Sequence, residues 1–109
     1  VLVAVDKKAG MNEALRAGPG FAVNILSSGQ EDLSNRFATK GQKDFSDIDH
    51  VAAETGAPVF TEAIGYVDCV TKEILPGGDH DLFVGEIVAG DASGGDPLLY
   101  FSGKYRQLG

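Results

Sequence analysis

The stretch that decides the fold is Ala63–Gly90, AIGYVDCVTKEILPGGDHDLFVGEIVAG. Two runs rich in apolar and β-branched residues, Ala63–Leu75 and Leu82–Gly90, flank the turn chemistry of Pro76-Gly77-Gly78-Asp79-His80-Asp81. Val, Ile, Tyr, Phe and Thr suit a pleated surface, and Gly beside Asp suits a tight reversal, so the segment reads as two antiparallel strands. In the first run, alternation places Ile64 and Tyr66 on one face and Val67 and Cys69 on the other. Apolar residues on both faces fit a small barrel better than a sheet covered on one side.

Working outward, the polar turn Asp91–Pro97 is followed by Leu98–Tyr105, a last strand that makes the second half a β-meander. Upstream, Val59-Phe60 is a short strand, and Thr39–Pro58 is a loop holding at most one turn of helix, with His50 as an exposed loop residue. Residues Val1–Val5 are all apolar and read as a strand buried on both faces. Asn12 is placed to cap a short helix over Glu13–Ala17 that Gly18-Pro19-Gly20 ends. A second strand, Phe21–Leu26, closes at Ser27-Ser28-Gly29, and a second helix covers Gln30–Ala38 with Leu33 and Phe37 four apart on its inner face. Strands joined by turns and two short helices predict a mainly β fold, a closed or partly open barrel. The helices are too short for the crossovers of a doubly wound sheet, and neither G-x-G-x-x-G after a strand nor G-x-x-x-x-G-K-[ST] occurs.

The chain has 109 residues, 43% hydrophobic and 23% charged, which bounds it to one domain over residues 1–109. A formal net charge of -7 excludes the clustered cations that phosphate-tracking nucleic-acid binding requires. One cysteine, Cys69, excludes an internal disulfide, and with two distant histidines it forms no zinc pattern. Cys69 reads as a small buried strand residue. No apolar run of about 20 residues is present, so no membrane association is expected and a cytoplasmic location is the default.

His80 is the sharpest candidate for chemistry, because an imidazole at a strand mouth can donate to a carbonyl and titrates near physiological pH. The competing reading is a surface turn that happens to hold a histidine. Asp79 and Asp81 flank it, but neighbours on an extended strand point to opposite faces, so no His-Asp couple is implied and the acids read as solvated turn residues. Asp6-Lys7-Lys8 ends a strand just before a helix, where backbone amides and an ammonium can meet a phosphate or simply face water. Ser27, Ser28 and Ser34 lack a G-x-S-x-G setting. Tyr100, Phe101 and Tyr105 read as core or interface aromatics rather than ligand stackers.

In order, VLVAVDKKAGMNEALRAGPGFAVNILSSGQEDLSNRFA, TGAPVFTEAIGYVDCVTKEILPGGDHDLFVGEIV and GDPLLYFSGKYRQLG resemble the flavin reductase-like family, across essentially the whole chain. The resemblance implies a Greek-key split β-barrel of the FMN-binding type. It also implies a homodimer that binds FMN or FAD, reduces it with NADH or NADPH, and lets reduced flavin diffuse to a partner flavin-dependent monooxygenase. Carried over by position, Asp6, Lys7, Lys8, Met11 and Asn12 would line the phosphate and ribityl side of the flavin, and Phe37 and Ala38 would border it. His80 would be the catalytic contact to the nicotinamide, and Phe101, Ser102, Gly103, Lys104 and Tyr105 would complete the pyridine-nucleotide site. No metal is implied.

The chain opens directly in Val1–Val5, whereas family members usually carry roughly 40 to 50 residues before this point, so the domain is expected to be N-terminally incomplete. The family commonly has S-x-T where this chain reads Ala9-Gly10-Met11, two hydroxyl donors fewer for a phosphate or ribityl group. That difference motivates the alternative of a non-catalytic flavin- or haem-binding split-barrel module. A dimerisation domain without a cofactor is the third reading.

Overall fold

A computed structural model describes residues 1–38 and 47–107. In chain order these form β1 (Leu2–Asp6), α1 (Gly10–Ala17), β2 (Gly20–Ile25), α2 (Glu31–Ala38), β3 (His50–Ala52), β4 (Pro58–Phe60), β5 (Gly65–Gly77), β6 (His80–Ala92), β7 (Leu99–Phe101) and β8 (Lys104–Arg106). The expected long hairpin is present: β5 and β6 pair antiparallel from Gly65–Ala92 to Gly77–His80, each 13 residues long. β1 joins the free edge of β6 and β2 that of β5, giving an antiparallel sheet in the order β1-β6-β5-β2. The sheet is curled, and with its two helices it forms a half-barrel, so the mainly β expectation holds.

Register shifts at Asp68/Cys69 and between Thr71 and Glu73 interrupt the β5–β6 ladder. Such bulges bend a strand and raise its twist, which is how a 13-residue ribbon curls. They also break strict alternation: Asp68 and Cys69 are consecutive, yet both are fully buried. Cys69 is therefore the small core residue expected, and burial pushes its thiol pKa up.

Phe21, Cys69 and Phe83 centre the core, with Val3, Val5, Leu15, Val23, Val67 and Ile74 packed around them. Gly85 makes this possible, because a Cβ there would lie 2.6 Å from the Phe21 ring and 2.7 Å from Cys69 Cβ. A bare backbone at that point of β6 lets the Phe21 ring lie against the sheet.

Several expectations need correction. β1 is not buried on both faces: Val3 and Val5 turn to the core, while Leu2 is 57% exposed and Ala4 is exposed. It is an edge strand of the sheet, covered on one face only. Asn12 does not cap the first helix, which starts earlier, at Gly10, with Ala9 before it and no side-chain cap. His50 is not in a loop but opens β3, exposed, in a hairpin with β4 that the sequence pattern does not reveal. Of the rest of the expected 39–58 loop, residues 47–49 are a loop, residues 53–57 form the turn of that hairpin, and residues 39–46 lie outside the described residues. Finally, Leu98–Tyr105 is no single strand: Ser102 (φ 55°) and Gly103 (φ 78°) turn it back between β7 and β8. Two successive positive φ values define the two-residue hairpin turn whose twist matches the strands. One more, the expected solvation of Asp81, fails inside the candidate site.

Side chains tie the small hairpins to the sheet. Asn24 Nδ2 donates to the Pro58 carbonyl (3.1 Å) and Asn24 Oδ1 accepts from the Phe60 amide (2.9 Å), fastening β4 to β2. The Thr55 amide and hydroxyl donate to the two oxygens of buried Asp68, at 3.0 and 2.6 Å. The Ser28 amide donates to Asp96 O and the Leu98 amide to Leu26 O, which brings the β7–β8 hairpin beside α2.

Candidate functional site

The residues expected to form one site fall into two groups at opposite ends of the β5–β6 ribbon. The first is built where β6 begins. Gly78 (φ 72°) and Asp79 form the reversal between Gly77 and His80, and only glycine takes that φ without strain. His80 pairs across the ladder with Asp6, and the Lys7 amide donates to the Asp79 carbonyl (3.0 Å), so the end of β1 and the hairpin turn hold each other.

His80 Nδ1 lies 2.7 Å from Asp79 Oδ1, with the imidazole side chain 40% exposed. The expectation that no His-Asp couple forms is thus incorrect. The strand rule that excluded it does not apply, because Asp79 belongs to the turn. The Asp79 hydrogen bond raises the His80 pKa above its usual value, and His80 in turn holds the Asp79 carboxyl below the usual carboxylate range.

Asp81 also departs from the reading of a solvated turn acid. It is 6% exposed and faces the core side, where Arg16 Nη2 donates to Oδ2 at 2.7 Å and Asn12 Nδ2 at 2.9 Å. Arg16 Nε also donates to Asn12 Oδ1 (3.0 Å), and its guanidinium lies 5.9 Å from the centre of the Phe83 ring. Arg16 first, and then Asn12, hold the Asp81 carboxyl below the usual range. Positions 12 and 16 are four apart on α1, and 79 and 81 are two apart in sequence. The spacing of Asn12 and Arg16 could have signalled their own contact, but nothing local pointed to Asp81. The Asn12 amide is thereby engaged inside the fold and locks α1 onto β6.

The backbone amides expected to meet a phosphate are also engaged. Lys7 N donates to Asp79 O, Lys8 N to Asp6 Oδ1 (2.8 Å) and Ala9 N to Asp6 O (3.0 Å). What this end offers an anion is therefore side-chain charge: Lys7 and Lys8 are exposed, beside exposed Met11.

The second group lies where β6 ends. Phe37 of α2 stacks on Phe60 with ring centres 5.8 Å apart, and Ala38, exposed, is the last residue of the helix. Tyr105 Oη lies 2.9 Å from Ser34 Oγ and 3.1 Å from Asn35 Oδ1, and the Tyr100 ring meets Tyr105 edge-on at 5.2 Å. Phe101 is 72% exposed, and Ser102, Gly103 and Lys104 are exposed with it. The two groups lie toward opposite ends of the curled 13-residue β6, in a molecule 37 Å in its longest dimension. Beside the second group, a cavity of about 320 Å³ lies between α2 and the loop before β3, lined by Asp32, Asp47, Asp49 and Glu62 with Leu33 and Phe60. Its four carboxylates oppose a phosphate, whereas at the first end exposed Lys7 and Lys8 and part-exposed His80 stand among the carboxylates of Asp6 and Asp79. Among the described residues no group of three or more His, Cys, Asp or Glu could hold a metal ion.

The chain is thus a mainly β half-barrel with a part-exposed imidazole and two exposed lysines at one rim. The family profile described as "Flavin reductase like domain" matches residues 1–109, and the chain belongs to that family. It is 37% identical over 105 residues to the reductase component of a 4-nitrophenol 4-monooxygenase/4-nitrocatechol 2-monooxygenase from Rhodococcus opacus, covering 96% of this chain and 56% of that protein. It is 34% identical to an NADH-dependent FAD reductase from Streptomyces globisporus, covering 99% of this chain and 63% of that one. Among solved structures, the Streptomyces globisporus NADH:FAD oxidoreductase in complex with NAD and FAD fragments superposes with a TM-score of 0.92 at 33% identity, covering 99% of this chain and 67% of that chain. The chain thus spans less than two thirds of the length of these two curated relatives.

Proposed function

We propose that this domain belongs to an NAD(P)H:flavin oxidoreductase that supplies reduced FMN or FAD to a flavin-dependent monooxygenase. The observation that carries the reading is the near-complete superposition on the NADH:FAD oxidoreductase bound to NAD and FAD fragments. The naming of the Rhodococcus opacus relative as the reductase component of a monooxygenase supports the partner.

The nicotinamide supplies a hydride, two electrons with one proton, and the flavin accepts it. The chain's own residues bind, orient and exclude water, and none needs to act as a nucleophile. Lys7 and Lys8 give the rim two exposed ammonium groups that can meet phosphates, beside the carboxylates of Asp6 and Asp79, on a chain whose net charge is -7. The His80 ring, held at Nδ1 by Asp79, can donate from Nε2 to a carbonyl of the nicotinamide carboxamide when the ring is protonated.

The unit is a homodimer in this reading. Support comes from the outer face of the sheet, where Leu2 and Val84 are cross-strand partners, as are Ala4 and Leu82, and Leu82 and Leu75. Leu2 and Leu75 are 57% and 41% exposed, an apolar band that a second copy can cover. Dependence on NADH or NADPH fits a cytoplasmic location. Among the described residues no helix is long and apolar enough to cross a membrane.

The test is to mix the protein with FMN or FAD and NADH or NADPH and follow nicotinamide absorbance without oxygenase. Multiple-turnover loss of the nicotinamide signal, dependent on added flavin, is expected. A flavin-bound protein that leaves every nicotinamide unoxidised overturns the reading.

A further inference from the structure

We propose that Asp79 is the positioning residue for His80, fixing which imidazole nitrogen faces the nicotinamide and keeping that nitrogen protonated as a donor. This inference rests on the reductase reading above. The geometry is specific: Nδ1 and Oδ1 are 2.7 Å apart, so the ring commits its Nδ1–H to the carboxylate and directs Nε2 away from it. Asp79 is itself fixed. Gly78 (φ 72°) sets the reversal that precedes it, and its carbonyl accepts the Lys7 amide at 3.0 Å. The carboxylate is therefore carried by a two-residue turn whose backbone is anchored to the neighbouring strand, while its side chain is 88% exposed and held by the His80 contact.

The surrounding charges act in the same sense. The Asp79 hydrogen bond is the largest influence raising the His80 pKa, and Asp6, the cross-strand partner on β1, adds to it. Lys7, beside Asp79, favours that carboxylate's charged form. From α1, Arg16 is committed to Asp81, the next residue along β6, so that pair is neutralised within itself. β5 contributes Gly77 opposite His80, which carries no charge.

A pKa raised by a partner means that imidazolium persists to higher pH, and the donor at Nε2 is lost as pH rises through it. The Asp79→Asn variant retains the turn but removes the charge, so the loss moves to lower pH. Asp79 makes no contact with the hydride itself and acts only through the ring.

The experiment combines two readouts on the wild-type protein, Asp79→Asn and Asp79→Glu. Nitrogen-15 NMR of the His80 ring follows its titration and tautomer, and steady-state NADH oxidation with FMN or FAD gives kcat/KM against pH. For Asp79→Asn the ring is expected to titrate at lower pH, its neutral form keeping Nδ1–H against the amide oxygen of the substituted side chain. The alkaline limb of kcat/KM should move the same way, with a loss of roughly three- to tenfold above neutrality, the kinetic equivalent of one hydrogen bond. Asp79→Glu should recover part of both. An unchanged ring titration in Asp79→Asn overturns the proposal, and so does a moved titration with an unmoved kinetic limb. If the wild-type protein consumes no NADH, the reductase reading fails instead, while the ring titration still decides whether Asp79 holds His80.

Discussion

The two ends of the β5–β6 ribbon are built from different materials. Where β6 begins, the contacts are charged and networked: Asp79 on His80, and Arg16 and Asn12 on Asp81. Where it ends, the contacts are aromatic, Phe37 on Phe60, Tyr100 on Tyr105 and the Tyr105 hydroxyl on α2, beside an Arg36–Asp47 ion pair and the acidic cavity. The first end has its directions fixed by ionic hydrogen bonds, as a group aimed at a reacting ring requires. The second presents a nearly bare Phe101, 72% exposed, on a short hairpin held by few groups. Positioning belongs to one end and adaptable surface to the other, and the core between them serves both.

The largest effect should therefore come from the shared centre. Phe83, fully buried, touches the core of both halves, and Phe83→Ala is expected to cost about 3–5 kcal/mol. Urea unfolding should show the midpoint falling with one cooperative transition. Two separate transitions would show that the ends fold independently. Gly85→Ala probes the same centre from the opposite side, because its Cβ would collide with Phe21 and Cys69, at an expected cost of about 1–3 kcal/mol.

Next in size is Asp81→Asn, which removes the charge that Arg16 and Asn12 share. The Asp81 pKa is lowered in the fold, chiefly by Arg16. Its stabilisation is accordingly present above the ordinary carboxylate range and lost as pH falls through the lowered value. At neutral pH Asp81→Asn should melt several degrees below wild type, with the gap closing in acid. A gap that persists at low pH would show that packing, not charge, is what Asp81 contributes. Hydrogen exchange should place the loosening in α1 and leave α2 unchanged.

The sequence made the ribbon legible because period-two patterning and Gly-Gly-Asp turn chemistry agree over nearly thirty residues. It made the family legible through the ordered segments. Illegible was whatever depended on an interruption of that period. The bulge at Asp68/Cys69 buries two neighbours in succession, and the Ser102-Gly103 reversal hides in a run that is otherwise continuous strand composition. The β3–β4 hairpin was missed because His50, Val51 and Ala52 are all exposed and carry no alternation. In the site, His80 could be singled out by type and position, whereas its partner required knowing that Asp79 sits in the turn. The Asn12–Arg16–Asp81 network joins residues 65 and 69 apart in sequence, a distance at which local patterning is silent.

A smaller effect, confined to function, is expected from His80→Ala. The ring is at the surface of the rim, so the fold should be little altered. The KM for NADH should rise or kcat fall by roughly tenfold, the scale of one lost directed contact, while flavin affinity changes little. Flavin titration by fluorescence beside steady-state kinetics separates the two. Equal losses in flavin binding and nicotinamide use would remove the distinction between positioning the donor and holding the acceptor.

The smallest effect tests the aromatic end. Tyr105→Phe keeps the ring against Tyr100 but deletes the hydroxyl that reaches Ser34 and Asn35. Because the site is partly exposed, water can replace these bonds, and the expected cost is at most about 0.5–1.5 kcal/mol. If that hydroxyl is what docks the β7–β8 hairpin, amide exchange should quicken in both α2 and β8 while the His80 end keeps its protection and its ring titration. Quickening at the His80 end would mean that the two ends communicate through the ribbon. Exchange confined to β8 would instead show that α2 is held by Phe37 on Phe60, and that the hairpin rests on the helix without supporting it.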